Sequence, residues 1–111
     1  MRNEEMVIQT DCVRWYWNTF TSEAERAQLF AVNNNSENKV KGNIMFQMGV
    51  RKGVSDLIFV GSIVVFLECK TPTGTQSKDQ KNFQKTVESL GHPYFIFRSL
   101  EEFQEIVLKY K

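Results

Sequence analysis

Gly53-Val54-Ser55-Asp56-Leu57-Ile58-Phe59, followed after a short break by Phe66-Leu67-Glu68-Cys69-Lys70, decides the fold of this chain. The runs Ser55 to Val60 and Ile63 to Lys70 are rich in Val, Ile and Phe and apolar on both faces, the pattern of strands covered from two sides. Only Gly61 and Ser62 separate them, so they form a hairpin. Asp56 opens the first strand, and Glu68 and Lys70 lie two apart near the end of the second. Side chains alternate along a strand, so Glu68 and Lys70 share a face while Cys69 points the other way. Two carboxylates and an ammonium at the end of an apolar hairpin are costly without partners. A divalent, oxygen-seeking cation accounts for both acids, and Mg²⁺ characteristically takes one or two carboxylates with waters and a substrate phosphate. Lys70 then orients or deprotonates an attacking water and stabilises charge on a phosphorane-like transition state. The plainer alternative is an Asp at a strand start beside a surface Glu/Lys pair.

The cation reading imposes a geometric condition. A two-residue Gly61-Ser62 loop would pair Asp56 with Leu67 and turn it away from Glu68. A three-residue loop, Gly61 to Ile63, pairs Val60 with Val64 and sets Asp56 opposite Glu68, with Cβ atoms about 5 Å apart. An odd-length loop or a bulge is therefore expected.

Outward from the hairpin the chain alternates helix and strand. From Asn3 to Phe20 the residues Met6, Val7, Val13, Trp17 and Phe20 recur at mostly helical steps, with Asn3 as N-cap and Glu4 and Glu5 in the first turn. A polar patch, Thr21 to Arg26, precedes a short strand, Gln28 to Val32. Asn33, Asn34 and Asn35 make a turn, and Glu37 to Met48 reads as a helix ending near Gly49. Beyond the hairpin, Thr71 to Gln76 is a loop lacking any phosphate-cradling Gly-Lys-Ser/Thr signature, so no nucleotide cofactor is expected. Ser77 and Gln80 form a capping box for a helix that stops before Gly91. Pro93 to Arg98 is a buried strand. Ser99 and Glu102 cap a last helix built on Phe103, Ile106, Val107 and Tyr110. The order α-β-α-β-β-α-β-α predicts an α/β fold in one domain, 1–111, with a central mixed sheet flanked by helices. Trp15, Tyr16 and Trp17 are adjacent on a helix, so they cannot all face the core, and His92, between Gly91 and Pro93, reads as structural.

Composition narrows the class. The 111 residues are 41% hydrophobic and 13% aromatic, enough for a packed core, and the net charge of +1 speaks against a histone-like binder. Cys12 and Cys69 make neither a disulfide framework nor a zinc cluster. The N-terminus carries Arg2, Glu4, Glu5 and Asp11 with no apolar leader. The longest apolar stretch, Leu57 to Leu67, falls far short of the roughly 20 residues of a membrane span. These features predict a soluble, intracellular, reduced protein without a membrane partner.

Further motifs accompany the acids: Glu5-x-x-Ile8-Gln9, Asn33 to Asn35, Met48-Gly49-Val50-x-x-Gly53-Val54-Ser55-Asp56-Leu57-Ile58, Leu67-Glu68-Cys69-Lys70-Thr71-Pro72-x-Gly74, Ser77-x-x-Gln80 and Gly91-His92. Together, from about Glu4 to Leu108, they resemble the virus-type replication-repair nuclease (VRR-NUC) domain, a branch of the PD-(D/E)XK restriction-endonuclease-like superfamily. Ser55 departs from the pattern, standing where the superfamily has Pro, at a position that shapes backbone and supplies no ligand. The resemblance implies Mg²⁺- or Mn²⁺-dependent hydrolysis of DNA phosphodiesters. Asp56, Glu68 and the Cys69 main-chain carbonyl would be metal ligands and Lys70 the catalytic lysine. Glu5 matches the helix-borne acid that holds the metal or its waters. Gln9 follows one turn later, Asn35 matches in the asparagine turn, and Gln80 matches the glutamine after the Glu-x-Lys strand, where it also serves as a capping residue. Small stand-alone members resembled here are homodimeric endonucleases selective for branched DNA such as Holliday junctions.

Charge supports a DNA partner locally. From Lys39 to Lys85 eight basic residues face three acidic ones, leaving +5 there and −4 in the remainder. Lys78, Lys81 and Lys85 share one side of a helix as a phosphate-tracking ridge or as an ordinary solvated face, and Arg51 and Lys52 precede the Asp56 strand. Competing readings are a non-catalytic DNA-binding or interaction domain of the same fold, or a flap, exo- or restriction-type nuclease.

Overall fold

The computed structural model describes residues 3–32 and 39–111. Their order is α1 (Glu4–Thr19), α2 (Glu23–Arg26), β1 (Leu29–Ala31), α3 (Lys39–Gln47), β2 (Leu57–Val60), β3 (Val64–Cys69), α4 (Lys78–Ser89), β4 (Tyr94–Phe97) and α5 (Leu100–Tyr110). This is the expected succession with one addition. The single-turn α2 stands in the polar patch, where Ser22 Oγ accepts from the Glu25 amide at 3.2 Å and donates to the Glu25 carboxylate at 2.8 Å. A capped turn with no apolar stripe leaves only that Ser-x-x-Glu spacing as its signal. The asparagine turn, Asn35 included, and the expected helix start at Glu37 lie outside the described residues.

The four strands form one mixed sheet in the order β1-β2-β3-β4. The β1–β2 and β2–β3 pairs are antiparallel, and α4 crosses over to make β4 parallel to β3. Leu57, Phe59, Val65, Leu67, Cys69 and Phe97 point to one face, where they bury completely against Cys12 and Tyr16 of α1 and Phe103 and Val107 of α5. Each such aliphatic or aromatic side chain contributes roughly 1.5–3 kcal/mol by leaving water. On the opposite face α4 lays Phe83 edge-on against Phe66 and Tyr94, with ring centroids 5.3 and 6.2 Å apart. Both faces are thus covered, as the two-sided apolarity of the hairpin required. His92 packs on Phe66 in this same layer, in keeping with a structural role.

α1 buries a different stripe from the one its sequence suggested. Met6, Val7 and Trp17 are exposed, whereas Cys12 and Tyr16 are fully buried, with Ile8, Val13, Trp15 and Phe20 packed around them. Apolar residues are scattered around this helix, so spacing alone cannot choose its inner side. The choice falls on the face where Tyr16 meets Phe59 and Phe20 while its hydroxyl donates to the Glu25 carbonyl at 2.7 Å.

Two close approaches fix the hairpin. A methyl group at Gly61 would collide with the Tyr110 carbonyl, which also accepts from Ser62 N at 2.7 Å. Gly53, at φ +84°, lies so close to the first turn of α4 that a Cβ there would run into the Asp79 backbone. Glycine alone fits both the dihedral and the space.

Candidate functional site

The site grows from the hairpin register. Val60 pairs with Val64 and Leu57 with Leu67, so Gly61 to Ile63 is the three-residue loop the two acids require. One step further the ladder sets Asp56 opposite Glu68. Asp56 Oδ2 accepts from the Cys69 amide at 2.8 Å, which draws its carboxylate across to β3. Cys69 itself points to the opposite face, where its thiol donates to the Glu5 carbonyl at 3.5 Å. That contact ties the first turn of α1 to the end of β3 and brings half-buried Glu5 within electrostatic reach of Glu68.

Glu68 is only 1% exposed. Burial pushes its carboxyl up to about 9, helped by a hydrogen bond and the charge of Asp56 and opposed by Lys70. Gln80 Nε2 donates to Glu68 Oε2 at 3.3 Å, while its Oε1 accepts from Ser77 N at 2.8 Å in a complete capping box. The same side chain therefore caps α4 and touches the acid. Glu68 Oε1 is buried with no hydrogen-bond partner among the described residues. An unpartnered carboxylate oxygen beside a second carboxylate fits a hard cation, whose positive charge would satisfy both. No group of three or more His, Cys, Asp or Glu side chains gathers as a metal cluster among the described residues. Two carboxylates suffice for a cation that keeps several waters. Lys70, 7% exposed, shares this end of β3 and has no ion-pair partner among the described residues.

Not every residue singled out converges here. Gln9 lies half-buried on α1 and lines a groove of about 340 Å³ with Val13, Arg14 and Trp17, with no hydrogen bond to the acids. Arg51 stacks its guanidinium 4.4 Å from the centroid of exposed Phe46. Lys52, Lys78, Lys81 and Lys85 are all solvent-exposed.

Three neighbours escaped the sequence reading. Tyr94, 5% exposed, sits on the face of Glu68, and burial pushes its hydroxyl up to about 12, with Gln76 opposing and Glu68 adding to the rise. Gln76 reaches Tyr94 from the loop before α4. Arg98 gives Nη1 to the Thr71 and Gly74 carbonyls at 2.6 and 2.7 Å and so clamps the loop that follows Lys70. Alternation along Pro93 to Arg98 was the available signal. The β3–β4 register, which decides who faces Glu68, passes through a helical crossover and is not written in either strand.

The acids thus meet where β2 begins and β3 ends, at one end of a mixed sheet held between helices. This fold is shared with a solved VRR-NUC structure. Among solved structures the chain superposes on a "VRR_NUC domain protein" with a TM-score of 0.79, over 99% of this chain and 89% of that one, at 16% sequence identity. No family model matches the chain, and no curated protein does.

Proposed function

We propose that this chain is a metal-dependent deoxyribonuclease that hydrolyses phosphodiester bonds, with branched DNA such as four-way junctions as substrate. One observation carries the reading: Asp56 and Glu68 meet at the strand ends of a VRR-NUC fold, and Glu68 presents a buried oxygen with no partner. Asp56, Glu68 and the Cys69 carbonyl would hold Mg²⁺, or Mn²⁺ in its place, with Glu5 on its waters. Such a cation supplies Lewis-acid stabilisation of charge at a phosphoryl oxygen. Lys70 orients the attacking water, accepts or shares its proton, and neutralises charge as the phosphorus becomes five-coordinate. Gln80 keeps the Glu68 carboxyl in one orientation. Arg51, Lys52, Lys78, Lys81 and Lys85 hold phosphates flanking the cut. Gln9, on α1, would add a DNA contact away from the acids, and Asn35 would add another. The free, buried thiols Cys12 and Cys69 accord with an intracellular setting. No helix among the described residues is long and apolar enough to cross a membrane.

Resolving a four-way junction takes two cuts, which a two-fold homodimer supplies symmetrically. Ile44 and Phe46 on α3, and Met48 just beyond it, are exposed and support such a pairing. Purified protein should cut labelled junction DNA in Mg²⁺ or Mn²⁺ and not in EDTA, and Asp56→Asn, Glu68→Gln and Lys70→Ala should each lose at least a hundredfold in rate. Cutting in EDTA, or by those variants, rejects the mechanism. Digestion confined to free ends or flaps replaces the junction substrate with an exonuclease or flap substrate.

A further inference from the structure

A row of amides leads from the start of α4 to Glu68. An amide nitrogen carries two hydrogens. Gln76 Nε2 gives one to Gln84 Oε1 at 2.8 Å and the other to the Tyr94 hydroxyl oxygen at 3.2 Å. The tyrosine oxygen is the acceptor in that contact, so its own hydrogen is free to point elsewhere. At 5% exposure it has little access to water. Tyr94 lies opposite Phe66 in the parallel β3–β4 ladder, and Glu68 is the next residue of β3 on the same face, opposite Ile96. The Glu68 carboxyl sits beside the Tyr94 hydroxyl, and its Oε1 lacks any donor. Its other oxygen accepts from Gln80 Nε2 at 3.3 Å. Hydrogen bonds of this kind are long in an unliganded site and tighten when the site fills.

We infer that Tyr94 is a positioning residue of the proposed metal site: its hydroxyl, oriented by Gln76 and Gln84, donates to Glu68 and fixes that carboxylate for a divalent cation. The inference rests on the nuclease reading, since it assigns Glu68 to the metal. The two glutamines set the direction of the hydroxyl, and the tyrosine and Gln80 hold the carboxylate between them. Outer partners of this type typically change metal affinity 10- to 100-fold when removed.

The test is calorimetric titration of the full chain with Mn²⁺ in the absence of DNA. Tyr94→Phe, which deletes only the hydroxyl, should bind Mn²⁺ about tenfold more weakly, and Gln76→Leu should weaken it in the same direction. In cleavage assays both variants should need correspondingly more Mn²⁺ for half-maximal rate yet reach the unaltered chain's rate at saturation. A residue that merely packs would instead lower Tm in EDTA and leave Mn²⁺ affinity alone, and that result overturns the inference. If Tyr94→Phe loses its circular-dichroism signature of folding, Gln76→Leu decides by itself, with unchanged affinity as the overturning outcome. Failure of the unaltered chain to bind Mn²⁺ at all overturns the nuclease reading and this role with it, whereas equal binding by all three chains removes Tyr94's role only.

Discussion

At the scale of single residues Glu68 dominates, because its carboxyl is raised from 4.5 to about 9 mainly by burial. Between those values the folded chain keeps a proton that the unfolded chain has released. Each rise in pH therefore favours unfolding. The stabilisation is whole below pH 4.5 and gone above about pH 9. Metal-free Tm measured across this window should fall with pH, and Glu68→Gln should flatten the slope. On the proposed reading Mg²⁺ would displace that proton, so any stabilising shift it gives should grow with pH. Cys12 and Cys69, both raised to about 12 chiefly by burial, should stay unmodified by a thiol reagent in the folded chain and react fully in denaturant. Asp56, Glu68 and Lys70 were legible in the sequence because alternation and loop length fix their faces within one hairpin. Tyr94 was not, since its partner lies across a crossover.

Elements carry the next set of consequences. The three-residue loop is what brings Asp56 and Glu68 together, because shortening it by one residue would slip the register and turn every β2 side chain over. Gly53, at φ +84° against the Asp79 backbone, seats the segment leading into β2 on α4. Gly53→Ala should cost about 1–3 kcal/mol, read as a lower urea midpoint at unchanged m-value. The strands, the last two helices and their caps were readable from alternation and from the Ser77/Gln80 and Ser99/Glu102 spacings. The inner stripe of α1 was not, because its apolar residues surround the helix and only contact with Phe59 selects Tyr16. α2 was missed because one capped turn carries no periodicity.

Across the whole molecule a net charge of +1 conceals a basic segment from Lys39 to Lys85 and an acidic remainder. If the α4 lysines track phosphates, Lys78/Lys81/Lys85→Ala should bind DNA less tightly and flatten the dependence of log K on log salt by up to about 2.7. Unchanged binding assigns them to solvation. The start of α4 is seated by neighbours on several sides: Gly53 packs on Asp79, Gln80 bonds Glu68 of β3, and Arg98 clamps the loop ahead of the helix. On the proposed reading, a helix seated in this way stays with the sheet when DNA binds. Lys78 and Lys85, seven residues apart along one helix, form a ruler about 10 Å long. On the proposed reading the nucleic acid does the bending, and DNA that is already interrupted at a branch needs the least work to lie along that ruler.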